Sequence, residues 1–273
     1  MAQSPTVLIR PNSSIYLGLR ELWQYREVLF SLVQRDIKIR YKQTLIGVLW
    51  VVIQPLFMVA VFTLFLGRLA KIPSGDLPYP VFALSGFILW NYFASALGAS
   101  ANSLIEYKAI ISKVYFPRLI LPLAPILVGG VDFLINLALL VAFAAIYGIP
   151  IKLTFLLTPV FFLITAFTVL SVGLWLAGLN AMYRDVRYVL PFFIQLWMFA
   201  SPVVYPSSLI PENWRWAYAL NPMTLVLEGF RWCIAGRGEM PIIPWLSLLM
   251  LAVIFIGGLF FFRKIERTLA DWI

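Results

Sequence analysis

Residues 45–66 read LIGVLWVVIQPLFMVAVFTLFL, twenty-two positions without a charge. A helix needs about 20 apolar residues to cross roughly 30 Å of hydrocarbon. The stretch is long enough, and its only polar side chains are Gln54 and Thr63. Five further stretches repeat the pattern, at about 79–101, 119–146, 153–180, 188–205 and 242–262. The whole chain is 62% hydrophobic and 12% charged, whereas soluble domains are about 45–50% apolar. Mean hydropathy is +0.91. The fold class expected is an all-α polytopic membrane protein with six transmembrane helices. Residues 1–43 form a cytoplasmic N-terminal segment, 44–263 the six-span domain and 264–273 a cytoplasmic tail. No basic start, short apolar core and small-residue cleavage site opens the chain, so insertion is expected to rely on the first span.

The net charge of +9 suggests nucleic acid only in a soluble protein. Here basic residues flank spans, and their placement sets orientation. With the N-terminus inside, 15 of the 21 Lys and Arg fall in inner segments and six in outer loops. Both termini are therefore expected in the cytoplasm, with the chain in the inner membrane. There is no histidine, and Cys233 is the single cysteine. An intrachain disulfide is impossible, and zinc, haem and Cys/His catalysis are disfavoured. No internal repeat suggests an inverted-repeat secondary transporter.

Residues 20–42, RELWQYREVLFSLVQRDIKIRYK, place polar side chains on one helical face. Leu22, Tyr25, Leu29, Leu32 and Val33 line the other. This is an amphipathic helix with a basic face, suited to the bilayer surface. It is either a lipid anchor or a platform that also meets a cytoplasmic partner.

Three features break the apolar pattern inside the spans. Gln54-Pro55 gives the first span a bend, read as a packing kink or a pathway wall. Asp132, with Asn136 one turn later, puts a carboxylate inside the third span, where a charge is costly. No basic residue in another span matches it, so a structural role is expected, protonated or hydrogen-bonded within the bundle. Aromatics crowd the spans and their ends: Trp50, Phe57, Phe62, Trp90, Tyr92, Phe93, Trp197, Phe199 and Tyr205. They fit an interfacial belt or a path whose flat faces meet the C–H side of sugar rings. Between the fifth and sixth spans, ENWRWAYALNP at 212–222 is too polar for a span. Prolines at 206, 211, 222 and 241 divide the segment into two short helices, about 212–220 and 222–235. Asn221 caps the second and Pro222 takes its first position.

Several stretches together resemble one family: VQRDIKIRYKQTLIGVLWVVIQP (33–55), KVYFPRLILPLAPIL (113–127), NAMYRDVRYVLPFFIQLWMFASPVVYP (180–206), RWAYALNPMTLVLEGFRW (215–232) and FFRKIERTLADWI (261–273). The chain resembles the permease subunit of ABC-2 type polysaccharide exporters, the Wzm/TagG-like branch that serves O-antigen, capsule or teichoic acid. The resemblance runs from about residue 15 to the end. It implies a homodimer paired with two ABC ATPase subunits, a lipid-linked polysaccharide substrate on a polyprenyl diphosphate, and surrounding membrane lipids. ATP and Mg are then expected on the ATPase partner, with no cofactor, metal or catalytic residue in this chain. Independently, the chain lacks a G-x-x-x-x-G-K-[ST] phosphate loop and any Gly-Lys pair.

The resemblance also assigns parts. The helix between spans two and three docks on the ATPase, here Glu106, Tyr107, Lys108 and Lys113. From the residues themselves, Arg184, Asp185 and Arg187 form a second cytoplasmic patch after the fourth span, read as an ATPase contact or as positive-inside charge. The substrate's diphosphate is attracted to Arg35, Lys38, Arg40 and Lys42. Re-entrant periplasmic helices carry Trp214, Trp216 and Tyr218 as a lid. Two rivals are weighed against this reading. An ABC-2 exporter of drugs or small lipids shares the fold. A membrane glycosyl- or acyltransferase needs an acid–base cluster that twelve scattered acids and no histidine do not supply.

Overall fold

The computed structural model describes residues 19–42, 47, 49–236 and 244–272. The predicted segment before residue 19, positions 43–46 and 48 at the start of the first span, and 237–243 with Arg237, Pro241 and Ile242 lie outside them. So do residue 273 and the side chains of 267–272.

Among the described residues the chain is helices and turns. A short α1 (Leu19–Gln24) leads into α2 (Arg26–Lys42). The first span is α3 (Leu49–Phe62), which widens into a π-helical end over Thr63–Leu69. Next come α4 (Tyr79–Glu106), a single turn α5 (Lys108–Ile111) and α6 (Ile120–Ile146). A 3-10 turn at Leu153–Leu157 opens α7 (Thr158–Met182), followed by α8 (Val186–Phe199). Then α9 (Arg215–Ala219), α10 (Pro222–Ala235) and α11 (Pro244–Trp272) complete the chain.

Five helices are long and apolar enough to cross a bilayer: Leu49–Leu69, Tyr79–Glu106, Ile120–Ile146, Leu153–Met182 and Trp245–Glu266. The predicted fifth span is shorter than the sequence suggested. It ends at Phe199 after 14 residues, about 21 Å of helix against roughly 30 Å of hydrocarbon. The residues from 200 to 205 continue as turns, because Pro202 and Pro206 deny the helix its next donors. The tail predicted at 264–273 is no separate unit either, since α11 runs through to Trp272.

The bundle is built around α4. Its residues from Val81 to Trp90 are all buried, packed between α6, α7 and α3. Its hydroxyls turn inward on its own backbone: Ser85 Oγ donates to the Phe82 carbonyl at 2.8 Å and Ser103 Oγ to Ser100 at 2.7 Å. Such back-bonding satisfies a buried hydroxyl without a partner helix. Asn180 of α7 donates to the Ala101 carbonyl at 2.9 Å and the Asn102 side chain at 3.0 Å, tying α7 to α4. Trp175 ties α7 to α11 by donating to the Ile254 carbonyl at 2.9 Å.

The chain after α8 would leave bare carbonyls in an apolar setting, where each unsatisfied group costs several kcal/mol. One cation resolves this. Arg231 of α10 is buried and donates to the Pro202 and Val203 carbonyls, both at 2.5 Å. Its guanidinium lies 3.6 Å from the centre of the Phe82 ring. Glu228, 4.0 Å away, balances the charge and accepts from the Ser207 backbone N–H at 3.1 Å. Tyr79 donates to the Val204 carbonyl at 2.9 Å. Gly86 makes room, because a Cβ there would sit 2.2 Å from the Val203 carbonyl oxygen. The sequence reading counted Arg231 as an ordinary outer-loop charge; it is instead a buried clamp.

Replacing Arg231 with Met strands two carbonyls and the Glu228 carboxylate. Breaking a buried pair from one side costs about 3–5 kcal/mol, so a clear fall in melting temperature is expected in detergent-solubilised protein. Arg215→Met is the control. Its pair with Glu212 spans 3.4 Å between side chains 54% and 83% exposed, and exposed pairs contribute little. Equal melting temperatures for the two variants would show that Arg231 is no clamp.

Candidate functional site

The amphipathic helix does not end at a free surface. Its C-terminal turn meets α6, where Arg40 pairs with Asp132 at 2.5 Å and the Tyr41 hydroxyl donates to the other Asp132 oxygen. Asp132 lies twelve positions after Ile120, about 18 Å along the helix at 1.5 Å per residue. The basic partner missing from the other spans thus comes from α2. A helix-surface pattern could not show this, because Arg40 reads as one of several solvated bases. Asp132 is bonded within the bundle, the second of the two expected states. Burial first, then the bond to Asp132, pushes the Tyr41 phenol well above its ordinary range, so it remains a donor.

The same helix is fastened a second time, one turn earlier. Tyr107, buried at the end of α4, donates its hydroxyl to Asp36. Arg35 pairs with Asp36 at 2.9 Å and lies 4.5 Å from the centre of the Tyr107 ring. Burial and the bond to Asp36 raise the Tyr107 phenol, as burial and the bond to Asp132 raise Tyr41. Leu32 and Val33 seal the joint against Leu104, Phe116, Leu121 and Val128. The apolar stripe of α2 therefore covers protein, while Trp23 and Phe30 remain 71% and 58% exposed.

Above this joint a cavity of about 670 Å³ opens between α2, α3, α4 and α6. Arg40, Tyr41 and Asp132 stand on one side, with Trp50, Gln54, Pro55, Asn91, Tyr92, Ser95, Phe133 and Asn136 around the rest. Its volume is that of a small-molecule pocket. Asn136 donates back to the Asp132 carbonyl at 3.0 Å, and its own Oδ1 has no partner among the described residues.

The predicted aromatic path divides into five groups. Trp50 and Tyr92 converge on the cavity. Trp90 and Phe93 are sealed in the subunit's own core at 4% and 0% exposure, with no face left to offer. Phe62 packs on Phe87 at 5.0 Å, and Trp197 edge-on to Phe93 at 5.0 Å. Phe57 and Phe199 project outward, 70% and 57% exposed. Tyr205 shares a 2.8 Å hydrogen bond with Tyr218 and donates to the Phe199 carbonyl.

Of the four bases assigned to a diphosphate, Arg35 and Arg40 already hold carboxylates. Lys38 and Lys42 are exposed and make no ion pair among the described residues. The predicted coupling helix is only the four-residue α5. Around it Glu106, Lys108 and Lys113 are exposed, as are Val114 and Tyr115 at 55% and 64%. Arg184 and Asp185 are exposed in the turn before α8.

The predicted helix over 212–220 splits into a 3-10 turn at Glu212–Trp214 and α9. Trp214 and Trp216 are 64% and 59% exposed. Asn221 caps α10 as expected, accepting from the Met223 N–H at 3.0 Å. It also does what no capping rule announces. Its Oδ1 accepts from Trp197 Nε1 at 3.0 Å, and its Nδ2 donates to the Ala200 carbonyl and to Ser201 Oγ. One amide thus joins the end of α8 to the start of α10.

Comparison with known proteins agrees with this architecture. The ABC-2 type transporter family matches residues 27–235. The chain is 31% identical to an O-antigen export system permease protein RfbA of Myxococcus xanthus, over 78% of this chain and 82% of that one. It is 28% identical to an RfbA of Klebsiella pneumoniae over 90% and 94%. To the polysialic acid transport protein KpsM of Escherichia coli it is 26% identical over 88% and 95%. The matched region takes in both fastenings of α2, the cavity and the Asn221 joint, and the chain belongs to the ABC-2 type transporter family.

Proposed function

We propose that this chain is the transmembrane subunit of an ATP-driven exporter that moves a polyprenyl-diphosphate-linked polysaccharide, O-antigen first among the choices, across the inner membrane. The observation that carries the reading is the pairing of two things. Relatives that span nearly the whole chain are named for O-antigen export and polysialic acid transport. The bundle also holds a cavity whose wall mixes aromatic rings with uncharged polar side chains.

Energy enters from a separate ABC ATPase, which carries ATP and Mg, since the chain has no phosphate loop of its own. The exposed surface of Lys108, Lys113, Val114 and Tyr115 is its docking point, with the exposed Arg184 and Asp185 as a second contact. From there the path of force is short. Tyr107 grips Asp36, α2 is a continuous helix from Arg26 to Lys42, and Arg40 and Tyr41 grip Asp132 at the cavity. A push on the α4–α5 corner is delivered to the cavity wall.

Two subunits complete the pathway. In α3 only 11% of the spanning window is buried, and α8 leaves Tyr188, Phe192, Leu196 and Phe199 bare. Those faces suit a second copy and lipid. The turns after α8 finish the crossing that 14 helical residues cannot. With both termini cytoplasmic, α9 and α10 lie on the outer side as a re-entrant pair, and the exposed Trp214 and Trp216 sit at headgroup level.

Deleting the gene is expected to trap lipid-linked glycan on the cytoplasmic side and strip polysaccharide from the surface. Normal surface polysaccharide without that build-up overturns the reading. Tyr107→Phe keeps the ring under Arg35 but removes the donor to Asp36. Export is expected to fall several-fold, while the ATPase still co-purifies and still hydrolyses ATP; unchanged export per ATP removes the joint from the transmission path. Trp214→Ala with Trp216→Ala is expected to slow export with the ATPase still bound. Wild-type export by that double variant leaves the pair as membrane anchors only.

A further inference from the structure

The cavity's wall contains more hydrogen-bonding capacity than the protein uses. Gln54 of α3 and Asn91 of α4 both line it, and neither side chain makes a hydrogen bond among the described residues. Each carboxamide brings two N–H donors and an acceptor. Gln54 is exposed and Asn91 half-buried, and uncharged amides on spanning helices are retained where they face water or a ligand. They come from two different spans and meet at one space, so a single-helix packing role does not account for them. The charge in the wall is already cancelled. Among the described residues Arg40 and Asp132 are the only charged ones lining the cavity, and they are paired at 2.5 Å.

This combination selects by chemistry. A diphosphate entering here competes with Asp132 for Arg40 and meets the Asp132 carboxylate as a like charge in a half-enclosed site. An uncharged ring bearing hydroxyls costs nothing of the kind. Its hydroxyls meet the two amides, and its C–H face meets the ring of Trp50. The Trp50 ring is 57% exposed, and its indole N–H is without a partner among the described residues. A volume of about 670 Å³ holds one or two pyranose units.

We infer that the cavity between α3, α4 and α6 is a saccharide subsite that reads the uncharged sugar at the lipid-linked end of the substrate, and that the diphosphate stays outside it. The inference rests on the export reading above and names which part of the substrate this wall touches.

The test uses the full permease with its ATPase in lipid nanodiscs. Three probes are titrated: undecaprenyl diphosphate carrying one N-acetylglucosamine, undecaprenyl diphosphate alone, and phosphatidylglycerol. Wild type is expected to bind the sugar-bearing carrier at least ten-fold more tightly than the bare carrier. Gln54→Ala with Asn91→Ala is expected to erase that preference while leaving bare-carrier affinity within two-fold. Trp50→Leu, at a position too exposed to endanger folding, is expected to reduce the preference as well. A wild-type preference that survives in both variants places sugar reading elsewhere and overturns the subsite, with the export reading intact. Loss of bare-carrier binding in Trp50→Leu makes the wall a phosphate site and overturns it too. A wild type that binds the bare carrier but ignores the sugar also ends the inference. Carrier binding no better than phosphatidylglycerol removes the subsite and the export reading together.

Discussion

The Arg40–Asp132 ion pair joins the two halves of the molecule's work. A carboxylate twelve residues inside a span is tolerable only with a partner, and the partner arrives on a helix that is not itself a span. The C-terminal half of α2 is therefore fixed by electrostatics at its last turn and by the Tyr107–Asp36 bond one turn earlier. Between these points a continuous α-helix does not shorten, because its own backbone bonds hold it. Loss of either contact leaves this part of the helix held at one point, with the apolar seal of Leu32 and Val33 beside it. The cavity depends on the same pair twice, since Arg40 and Asp132 form part of its wall and also make that wall neutral.

A second constraint acts on the opposite side of the bundle. Hydrocarbon offers no hydrogen bonds, so a chain that leaves the helical state must carry its partners with it. After α8 the partners are side chains from elsewhere: Arg231 for two carbonyls, Tyr79 for a third, Asn221 for a fourth. A short fifth helix is possible because α10 lies against its end. That explains why the segment after it is neither span nor free loop. Its inner face is an array of donors aimed at one strip of irregular backbone, and its outer face carries Trp214 and Trp216.

The spans were legible because each is a long apolar run, a property of composition that survives any arrangement of the bundle. The cap at Asn221-Pro222 was legible because capping is local. What periodicity concealed were contacts between residues far apart in the chain. Arg40 looks like Lys38 and Lys42 on a helical wheel, and Arg231 looks like Arg215 in a loop count. Each differs from its neighbours only in what it reaches, 92 positions away for Arg40 and 28 or 29 for Arg231. Aromatic content misled in the same way. Trp90, Tyr92 and Phe93 are nearly adjacent and all three fill the core, and Tyr92 alone of them also lines the cavity.

These observations separate two tasks that a single aromatic conduit would merge. A conduit for a long polymer must hold weakly everywhere, or the chain stalls. A site that recognises the start of the polymer must hold specifically in one place. The outward rings of Phe57 and Phe199 are uniform and apolar, which suits sliding contact. The cavity is different, because amides, an indole N–H and a neutral ion pair converge on a space of limited volume. It also touches the last turn of α2, whose preceding turn is fastened to Tyr107, next to the corner where the ATPase is proposed to dock. A sugar bound in that space therefore meets the same helix that receives the push. Occupancy and energy input are then coupled through one rigid element, and recognition of the substrate's first unit needs no longer path to reach the motor.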